Sequence, residues 1–596
     1  MPKFDAYLLD SLRSAGILGA SSLGLESRAP AHAQQRVTLP MLVRVRDPES
    51  WEAPGAFEVQ AIVGDVISGR GDIEDLFALN QDPNVIAVDA SRPAGSVECS
   101  TSVPFVRTLP MHTGTPPERG DGCLIAFIDT GIDVLHEAFL DANGDSRVVE
   151  IWDQRDNTGP APNAIHPALK ANYGTVHEKA AIQACVKSRT LPRGLTAPLR
   201  GPDPREHGTH VASIAAGRAT GSFAGGVAPD ARIVMVIPLM RTFPSDPFSI
   251  GYSSSHVEAL DYIGQVALKH DMPVVVNVSL GMNAGAHDGT SSLEAAFDNF
   301  SRGGRDPGRI IVKSAGNERG HDGHAKLTLA SRKVDSITWH SDPKISRFQD
   351  IIECWFSAAD ECRFRLIDPN GQPSAVCDPS NPNVSGTIPG ASNLHAIEYT
   401  RYHPDNGDSR LLVTIRPGQA LNIDGGTWTL EIEGVQIRSK GEMHAWVERE
   451  NSRPVVLTSH TNEDMTLSIP GTARTVVTVG AVDSAFPVRN TATSSYGPTR
   501  DGREKPDLVA PGTGIHAAMA GSASGIVSMS GTSMAAPHVA GAVALLFSQC
   551  GKRPGTIPNA MQVRAALTQL TQNGNVRFTQ SDGYGVLDAS SLCTAF

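Results

Sequence analysis

Three patterns of hydrophobic and polar positions divide this chain. Residues 123–128 are six apolar residues without alternation, a pattern typical of a strand buried on both faces of a parallel sheet. Residues 535–547 are nearly all small or apolar and predict a buried helix, and residues 560–567 predict a second helix. Together these segments predict an α/β core.

The second pattern is a strict alternation of polar and apolar residues between positions 325 and 452. It recurs in five short segments, 336–340, 352–356, 362–366, 428–432 and 443–447, and Asp368-Pro369-Asn370-Gly371 is a strong turn signal. We therefore expect an inserted β-sandwich. Four of the six tryptophans lie in this stretch, and we expect them in its core, with an exposed carbohydrate-binding platform as the alternative: Trp339, Trp355, Trp428 and Trp446.

The third pattern lies before the core, in residues 37–96. Residues 37–45 and 85–89 read as strands and residues 73–79 as a helix, which predicts a small α+β unit. Farther along, Pro, Asn and Arg dominate residues 153–205, and we expect an extended surface loop there. Loops of that length are usually functional or disordered, and this one would lie beside the cleft.

Three polar residues stand out against this background. Asp129 directly follows the first buried strand, at the edge of a sheet where sites form in open α/β folds. His207 begins a helix of small residues, and Ser533 lies between Gly531 and Ala535 at the start of the long apolar helix. A serine at a helix start is often a plain N-cap, so Ser533 alone is ambiguous. The chain order Asp, His, Ser is one of the known orders of a catalytic triad.

With these residues, the chain resembles the subtilisin-like serine proteases, in particular bacterial members that carry a jelly-roll insertion. The resemblance covers residues 100–320 and 455–596 and rests on Asp129-Thr130-Gly131, His207-Gly208-Thr209-His210 and Gly531-Thr532-Ser533-Met534-Ala535-Ala536-Pro537-His538. It implies a parallel-sheet catalytic domain in two parts, residues 100–324 and 453–596, around a sandwich at 325–452. Residues 1–99 would be a propeptide-like unit that covers the cleft until it is cleaved, with 91–99 leading into the active site. The alternative is a permanent N-terminal domain.

The resemblance also implies roles for four catalytic residues. Ser533 would be the nucleophile, with His207 as its general base and later general acid. Asp129 would hold the tautomer of His207 and stabilise the imidazolium. Asn317 would donate its side-chain amide to the oxyanion, beside the Ser533 backbone N–H. Taken alone, Asn317 would be read as a turn residue after Gly316.

Substrate-binding residues follow from the same resemblance. One wall of the S1 pocket would be Ser279, Leu280 and Gly281, pairing with the substrate backbone as an added strand. Ala315 and Gly316 would form the other wall, with Glu318 at the rim. A carboxylate there would favour a basic or polar P1 residue, but an exposed charge contributes only about 0–1 kcal/mol. A broad apolar P1 preference remains equally open.

Other polar residues receive structural interpretations. We expect His210 and His538 to be packed or hydrogen-bonded. Asp133 could border the cleft, but an exposed acid at a strand end is the plainer interpretation. A metal bound by His207 and His210 would lack a third ligand at a recognisable spacing, so we predict no metal site. The resemblance leaves a structural calcium ion possible but assigns no ligands to it. No cofactor is required by the predicted chemistry.

The composition of the chain disfavours some classes of binding partner and indicates its location in the cell. The net charge of −12 disfavours nucleic acid and anionic membranes, and no apolar run reaches the length of a membrane span. Residues 1–10 carry acids where a signal peptide would be apolar, which predicts a cytoplasmic protein, with secretion by another route left open. The eight cysteines contain no C-x-x-C spacing, and a Cys354–Cys362 disulfide is conceivable.

The sequence therefore predicts a serine endopeptidase, made as a zymogen, that acts on a protein or peptide and is inhibited by its own N-terminal unit. Two alternatives remain. A pseudoprotease would keep the fold for binding, although the complete set of Asp129, His207, Ser533 and Asn317 argues against it. An esterase or peptide ligase would use the same acyl-enzyme and differ only in the nucleophile that resolves it.

Overall fold

The structure is a computed structural model. It describes residues 39–191, 205–239, 251–448 and 455–596, apart from short gaps at 49, 64–65, 91–98, 222, 346–348, 389–391, 486–487, 554, 556 and 573–576. The residues that suggested the absence of a signal peptide, 1–10, and most of the proposed lead into the active site, 91–99, lie outside the described part. Contacts divide the chain into two units, residues 1–95 and 96–596.

The N-terminal unit is a four-stranded antiparallel sheet with one helix, in keeping with the predicted α+β class. The strands lie in the spatial order Glu58–Val63, Val66–Gly71, Leu39–Val45 and Val85–Ala90, and the helix is Ile73–Gln81. The Asp72 side chain caps this helix by accepting the backbone N–H groups of Glu74 and Asp75. Val43, Ile67 and Leu79 are fully buried, so the unit has an apolar core of its own.

The second unit is built on an eight-stranded sheet, which confirms the predicted α/β core. Seven strands are parallel, and the edge strand Thr175–Glu178 is antiparallel. Their continuous apolar sequences follow from burial on both faces. The spatial order is Leu508–Pro511, Val477–Val482, Arg309–Ser314, Val274–Val278, Leu124–Ile128, Arg232–Ile237, Val148–Asp153 and Thr175–Glu178.

Helices cover both faces of this sheet. The serine helix, Thr532–Gly551, packs on the histidine helix, Glu206–Ala216, and Gly541 permits their close approach because a Cβ there would lie 3.0 Å from the Ala215 carbonyl oxygen. Among the described helices, the serine helix alone has the length and apolarity of a membrane span, and 89% of that stretch is buried inside the protein. The other helices of this unit are Cys99–Phe105, Leu109–Thr113, Pro162–Ile165, Lys179–Ser188, Gly251–His270, Ser292–Phe300, Ala560–Gln569 and Ala589–Thr594, with a 3-10 turn at Glu137–Phe139.

The alternating segment folds into two antiparallel sheets that enclose a separate apolar core. The strand Val455–Leu457 belongs to it, since it pairs with Trp339–Ser341. A small hairpin, Ile515–Ala518 with Ile526–Met529, lies in the core before the serine helix. The sandwich sheets are, in spatial order, His324–Thr328, Glu442–Glu448, Asp350–Phe356, Ser409–Arg416, Leu394–Thr400 and Asn383–Thr387, facing Glu361–Ile367, Gly426–Gln436, Lys333–Ser341 and Val455–Leu457.

The expectation that all four tryptophans fill the sandwich core is wrong for two of them. Trp339 and Trp428 lie in that core, whereas Trp355 and Trp446 pack against Ala286, which lies outside the sandwich. Alternation shows which face of a strand is buried but not what buries it. All four indoles are buried, so they form no exposed carbohydrate platform.

The expectation of an extended loop over residues 153–205 is also wrong in its first part. This stretch contains the edge strand Thr175–Glu178 and the helix Lys179–Ser188, in addition to the short helix Pro162–Ile165. The longer helix buries only Ile182 and Val186, too few positions to give a clear period. Residues 192–204 lie outside the described part.

Candidate active site

A carboxylate and an imidazole meet where the strand Leu124–Ile128 ends and the histidine helix begins. The Nδ1 atom of His207 lies 2.7 Å from Oδ1 of Asp129, whose side chain is fully buried. The Thr130 backbone N–H donates to the same oxygen at 2.7 Å. Because a ring nitrogen that faces a carboxylate carries the proton, the Nε2 atom of neutral His207 is left as a proton acceptor.

Two glycines allow this close approach. A Cβ at Gly208 would lie 2.1 Å from the Gly131 carbonyl oxygen, so a side chain at this position would push the helix away from the strand end. Gly131 has φ +143°, a conformation that other residues rarely adopt. The Gly208 N–H donates to the Thr130 hydroxyl at 3.1 Å. The glycines next to Asp129 and His207 therefore fix the distance between those two side chains.

Opposing effects set the basicity of His207. Burial lowers the pKa of its imidazole, but the negative charge of Asp129 and the hydrogen bond to that carboxylate outweigh the burial and hold the pKa above 6.5. The side chain keeps 31% of its surface exposed. A base of this strength, open to solvent on one side, suits proton transfer near neutral pH.

Ser533 lies in the first turn of the serine helix and is not its N-cap, which is Gly531 with φ +146°. Its side chain is nearly buried, and the hydroxyl donates to the Ser279 carbonyl oxygen at 3.2 Å. The hydroxyl of Ser279 donates in return to the Ser533 carbonyl at 3.2 Å. In this structure the Ser533 hydroxyl thus bonds the predicted substrate-binding strand and not His207.

Asn317 is held against the start of the serine helix. Its Oδ1 atom accepts the Thr532 backbone N–H at 3.0 Å and the Thr532 hydroxyl at 3.2 Å. The same hydroxyl accepts the Gly316 N–H at 3.1 Å. Because Oδ1 is bound by the helix start, the amide orientation is fixed and Nδ2 is left as the donor. Asn317 is therefore more than the turn residue that the local sequence suggested, because its side chain is bound to the start of the serine helix.

The predicted substrate-binding residues follow two neighbouring strands. Ser279 comes after Val274–Val278, and Ala315 after Arg309–Ser314, so both segments emerge at the carboxyl edge of the sheet. Ser279 and Ala315 are buried, Leu280, Gly316 and Glu318 are half-buried and Gly281 is exposed. The Glu318 N–H donates to the Ser495 hydroxyl at 3.0 Å.

A serine that the sequence did not single out lies between these two segments. A Cβ placed on Gly281 would lie 2.7 Å from the Ser468 hydroxyl oxygen, and one on Gly316 would lie 2.9 Å from it. The next residue in the chain, Ile469, exchanges two backbone hydrogen bonds with Met282, which directly follows Gly281. No periodicity or motif marks Ser468, because its position depends on segments more than 150 residues apart in the chain.

Three other polar residues that the sequence analysis considered are buried and hydrogen-bonded. His210 and His538 are fully buried, as expected, and bond the carbonyl groups of Ile515 and Met534, respectively. The expectation for Asp133 is wrong: it is buried, accepts the Gly521 N–H at 2.7 Å and pairs with Arg205 at 3.4 Å. Contacts with residues distant in the chain, Arg205 and Gly521, thus bury this strand-end acid. No group of three metal-ligating side chains occurs among the described residues.

The chain also matches a family of known proteins. The sequence profile of the subtilase family, peptidase S8, matches residues 120–340 and 424–585, which is more than half of the chain. The unmatched segment between these ranges lies in the inserted sandwich.

Curated relatives are proteases. Serine protease AprX of Bacillus subtilis is 28% identical over 239 residues, 35% of this chain and 49% of that protein. Alkaline serine protease ver112 of Corniculantispora psalliotae is 35% identical over 265 residues, 44% of this chain and 56% of that protein. The chain thus spans about half the length of these two relatives.

A solved structure resembles nearly the whole fold. The Clostridium perfringens CspB protease superposes with a TM-score of 0.68 at 24% identity, over 83% of this chain and 98% of that one. At this identity the likeness establishes the fold.

Proposed function

This chain belongs to the subtilase family, and we propose that it is a serine endopeptidase that hydrolyses peptide bonds through an acyl-enzyme on Ser533. The observation that carries the proposal is the 2.7 Å contact between His207 and the buried Asp129, beside a helix that presents Ser533 in its first turn. The protease names of the curated relatives support the same reaction class. Its substrates would be proteins or peptides.

The first step of the proposed mechanism activates the serine. Ser533 rotates from the Ser279 carbonyl toward Nε2 of His207, which takes the hydroxyl proton as the oxygen attacks the scissile carbonyl. The buried Asp129 stabilises the imidazolium that forms. His207 then returns the proton to the leaving amine. The C-terminal part of the substrate departs with a new amino terminus, and the N-terminal part stays bound to Ser533 as the acyl-enzyme. A water molecule activated by the same imidazole hydrolyses the acyl-enzyme.

The negative charge on the carbonyl oxygen needs donors that are already oriented. Asn317 would supply Nδ2, and the Ser533 backbone N–H, in the first turn of the serine helix, would supply the second donor. The positive end of the helix dipole adds to this stabilisation. Two hydrogen bonds from Thr532 hold the Asn317 amide in place. Because the amide is already oriented, stabilising the oxyanion requires no reorganisation at the moment of reaction.

We further propose that residues 1–99 act as an inhibitory propeptide of this protease. Residues 39–90 contain a sheet, a helix and a core of their own, as an independently folded inhibitor requires. Cleavage after this unit would then release the active enzyme, and a permanent N-terminal domain remains the alternative.

Covalent labelling tests the proposed reaction directly. A fluorophosphonate probe reacts with an activated serine, so the full-length protein and its trimmed product are both treated, and labelling should be lost in Ser533→Ala. Incubation with an unfolded protein substrate should release new amino termini, which separates a protease from an esterase or ligase. Absence of labelling in both forms of a folded protein would identify a pseudoprotease.

A further inference from the structure

A buried lysine lies directly behind the proposed substrate-binding segments. Lys313 is on the strand Arg309–Ser314, two residues before Ala315, and its side chain is 1% exposed. Within the described part of the chain it forms no ion pair, and burial is the only influence that shifts its pKa. A buried ammonium group without a counter-charge is costly and rare, which makes this position unusual.

Three neutral oxygen atoms receive the hydrogen bonds of this ammonium group. The Nζ atom donates to the Ser314 carbonyl at 2.6 Å, the Ser314 hydroxyl at 3.0 Å and the Ser468 hydroxyl at 3.0 Å. All three of its protons are therefore used, but no acceptor carries a negative charge. The hydrogen-bonding capacity of Lys313 is satisfied while its positive charge is not neutralised.

Ser468 connects this charge to the proposed S1 pocket. The Oγ atom that accepts from Lys313 is the one that lies against both glycines, Gly281 and Gly316, of the two proposed walls. Its own proton goes to the Ala315 carbonyl at 3.3 Å, a long hydrogen bond that a better acceptor can replace. The hydroxyl that lies against both proposed walls is thus polarised by a cation.

We propose that Lys313, acting through Ser468, makes this protease prefer substrates with an acidic P1 side chain. The inference rests on the proposed endopeptidase function and assigns the substrate class of that same site. A glutamate or aspartate in the pocket would accept the Ser468 hydroxyl proton while Lys313 continues to donate to the same oxygen. The substrate carboxylate would then supply the missing counter-charge.

The negative charge of Glu318 would favour a basic P1 side chain instead. The relative strength of the electrostatic effects of Glu318 and Lys313 decides between the two preferences. Glu318 is half-buried and one of its carboxylate oxygens is shielded from solvent, whereas Lys313 is fully enclosed and donates directly to the Ser468 hydroxyl that lies against both walls. Charges interact several times more strongly at the lower effective dielectric of a protein interior than in water. The enclosed cation therefore dominates, and a basic P1 residue would be disfavoured by burial beside it.

The test compares two peptides that differ only in P1, one with glutamate and one with glutamine. The ratio of their kcat/KM values isolates the P1 charge, because acylation chemistry and the ionisation of His207 affect both peptides equally. For the wild-type protein at pH 6 the ratio should be about 10 or more. Burial lowers the pKa of Lys313 to about 7, so the ratio should fall toward 1 as the pH rises to 9.

Variants assign the effect to named residues. Lys313→Met keeps the length of the side chain and removes its charge, and should bring the ratio at pH 6 close to 1. Ser468→Ala keeps the charge and removes the connecting hydroxyl, and should lower the ratio several-fold even if Lys313→Met fails to fold. Lys333→Met, at an exposed position of the sandwich, is the matched control and should leave the ratio unchanged.

The outcomes separate this inference from the function on which it rests. A wild-type ratio near or below 1 at pH 6, with the glutamine peptide cleaved, overturns the acidic preference and leaves the protease intact. A high ratio that persists at pH 9 and in both Lys313→Met and Ser468→Ala also overturns it. If neither peptide nor any unfolded protein is cleaved and Ser533 takes no label, the proposed function fails and the inference falls with it.

Discussion

The Glu448 carboxylate accepts the backbone N–H of Ala284 at 2.9 Å. Glu448 ends a long strand of the inserted sandwich, and Ala284 lies three residues after Gly281 of the proposed S1 wall. The same carboxylate accepts the Asn283 N–H at 3.0 Å. Through this contact the insertion holds the chain segment that leaves the proposed substrate-binding strand.

Removing this carboxylate should weaken substrate binding. Two backbone N–H groups lose a charged acceptor in Glu448→Ala, and hydrogen bonds to charged groups contribute about 1.5–3 kcal/mol each. The Asn283 side chain still donates to the Val447 carbonyl at 2.8 Å, so we expect the fold to persist. The KM for a peptide substrate should rise several-fold with a smaller change in kcat. Glu398→Ala, exposed elsewhere in the sandwich, serves as the control, and equal effects of the two variants would contradict the prediction.

Asp129→Asn should remove most of the activity without disturbing the fold. An amide at this position cannot hold the productive tautomer of His207 or stabilise its cationic form, and loss of the triad carboxylate in other serine proteases lowers kcat by about 10⁴. Peptide hydrolysis and circular dichroism would be measured together. A folded Asp129→Asn variant that retains wild-type kcat would exclude the proposed role.

The acid limb of the pH–rate profile should lie above pH 6.5. His207 must be neutral to accept the serine proton, and its pKa is held above the ordinary value by the Asp129 charge and hydrogen bond, against the effect of burial. The kcat/KM for a peptide with an uncharged P1 residue should therefore rise with pH through that raised pKa. A limb below 6.5 would show that the pair does not act as described.

The junction of the sandwich and the core should be sensitive to acid. His287 stacks on Trp446 with ring centroids 4.1 Å apart, and His444 donates to or accepts from His324 at 3.0 Å. Burial lowers the pKa of His287 to about 4 and that of His444 to about 3. The unfolded chain binds more protons than the folded chain between these values and about 6.5, so stability should be lost as the pH falls through this window.

Thermal unfolding between pH 7 and pH 4 checks this dependence. His444→Phe keeps an aromatic ring beside Trp446 and removes one titrating group, so its Tm should fall less steeply with acid than that of the wild type. His340→Phe, at an exposed position, is the matched control and should retain the wild-type slope. The same slope in all three proteins would refute the assignment.

Removal of residues 1–98 tests the proposed propeptide. If this unit is an inhibitor, the purified full-length protein should be trimmed near residue 99, and N-terminal sequencing would locate the cut. Added in trans, a peptide spanning residues 1–98 should inhibit the trimmed enzyme. A protein that is never trimmed, and whose folding and activity are unchanged by the deletion, would instead carry a permanent N-terminal domain.

Local sequence was sufficient for the elements that carry the proposed chemistry. The strand before Asp129 is marked by an unbroken apolar run, and the helix after Ser533 by its small residues, because burial on all sides leaves a one-dimensional signal. Alternation likewise located the sandwich. The edge strand Thr175–Glu178 escaped notice because its four residues bury only two side chains, too few to form a pattern.

Three things follow from the amino-acid sequence alone: the motifs around Asp129, His207 and Ser533, the parallel-sheet core, and the inserted sandwich. Each motif or strand pattern depends on residues close together in the chain. Tertiary structure decided which groups face one another: Trp446 meets Ala286, Asp133 is buried, and Lys313 meets Ser468 across 155 positions of the chain. Such contacts depend on how separate strands are placed in space, which local patterns of polarity do not encode. The residues proposed to be catalytic can thus be found from the sequence, whereas the surroundings proposed to set substrate preference arise only on folding.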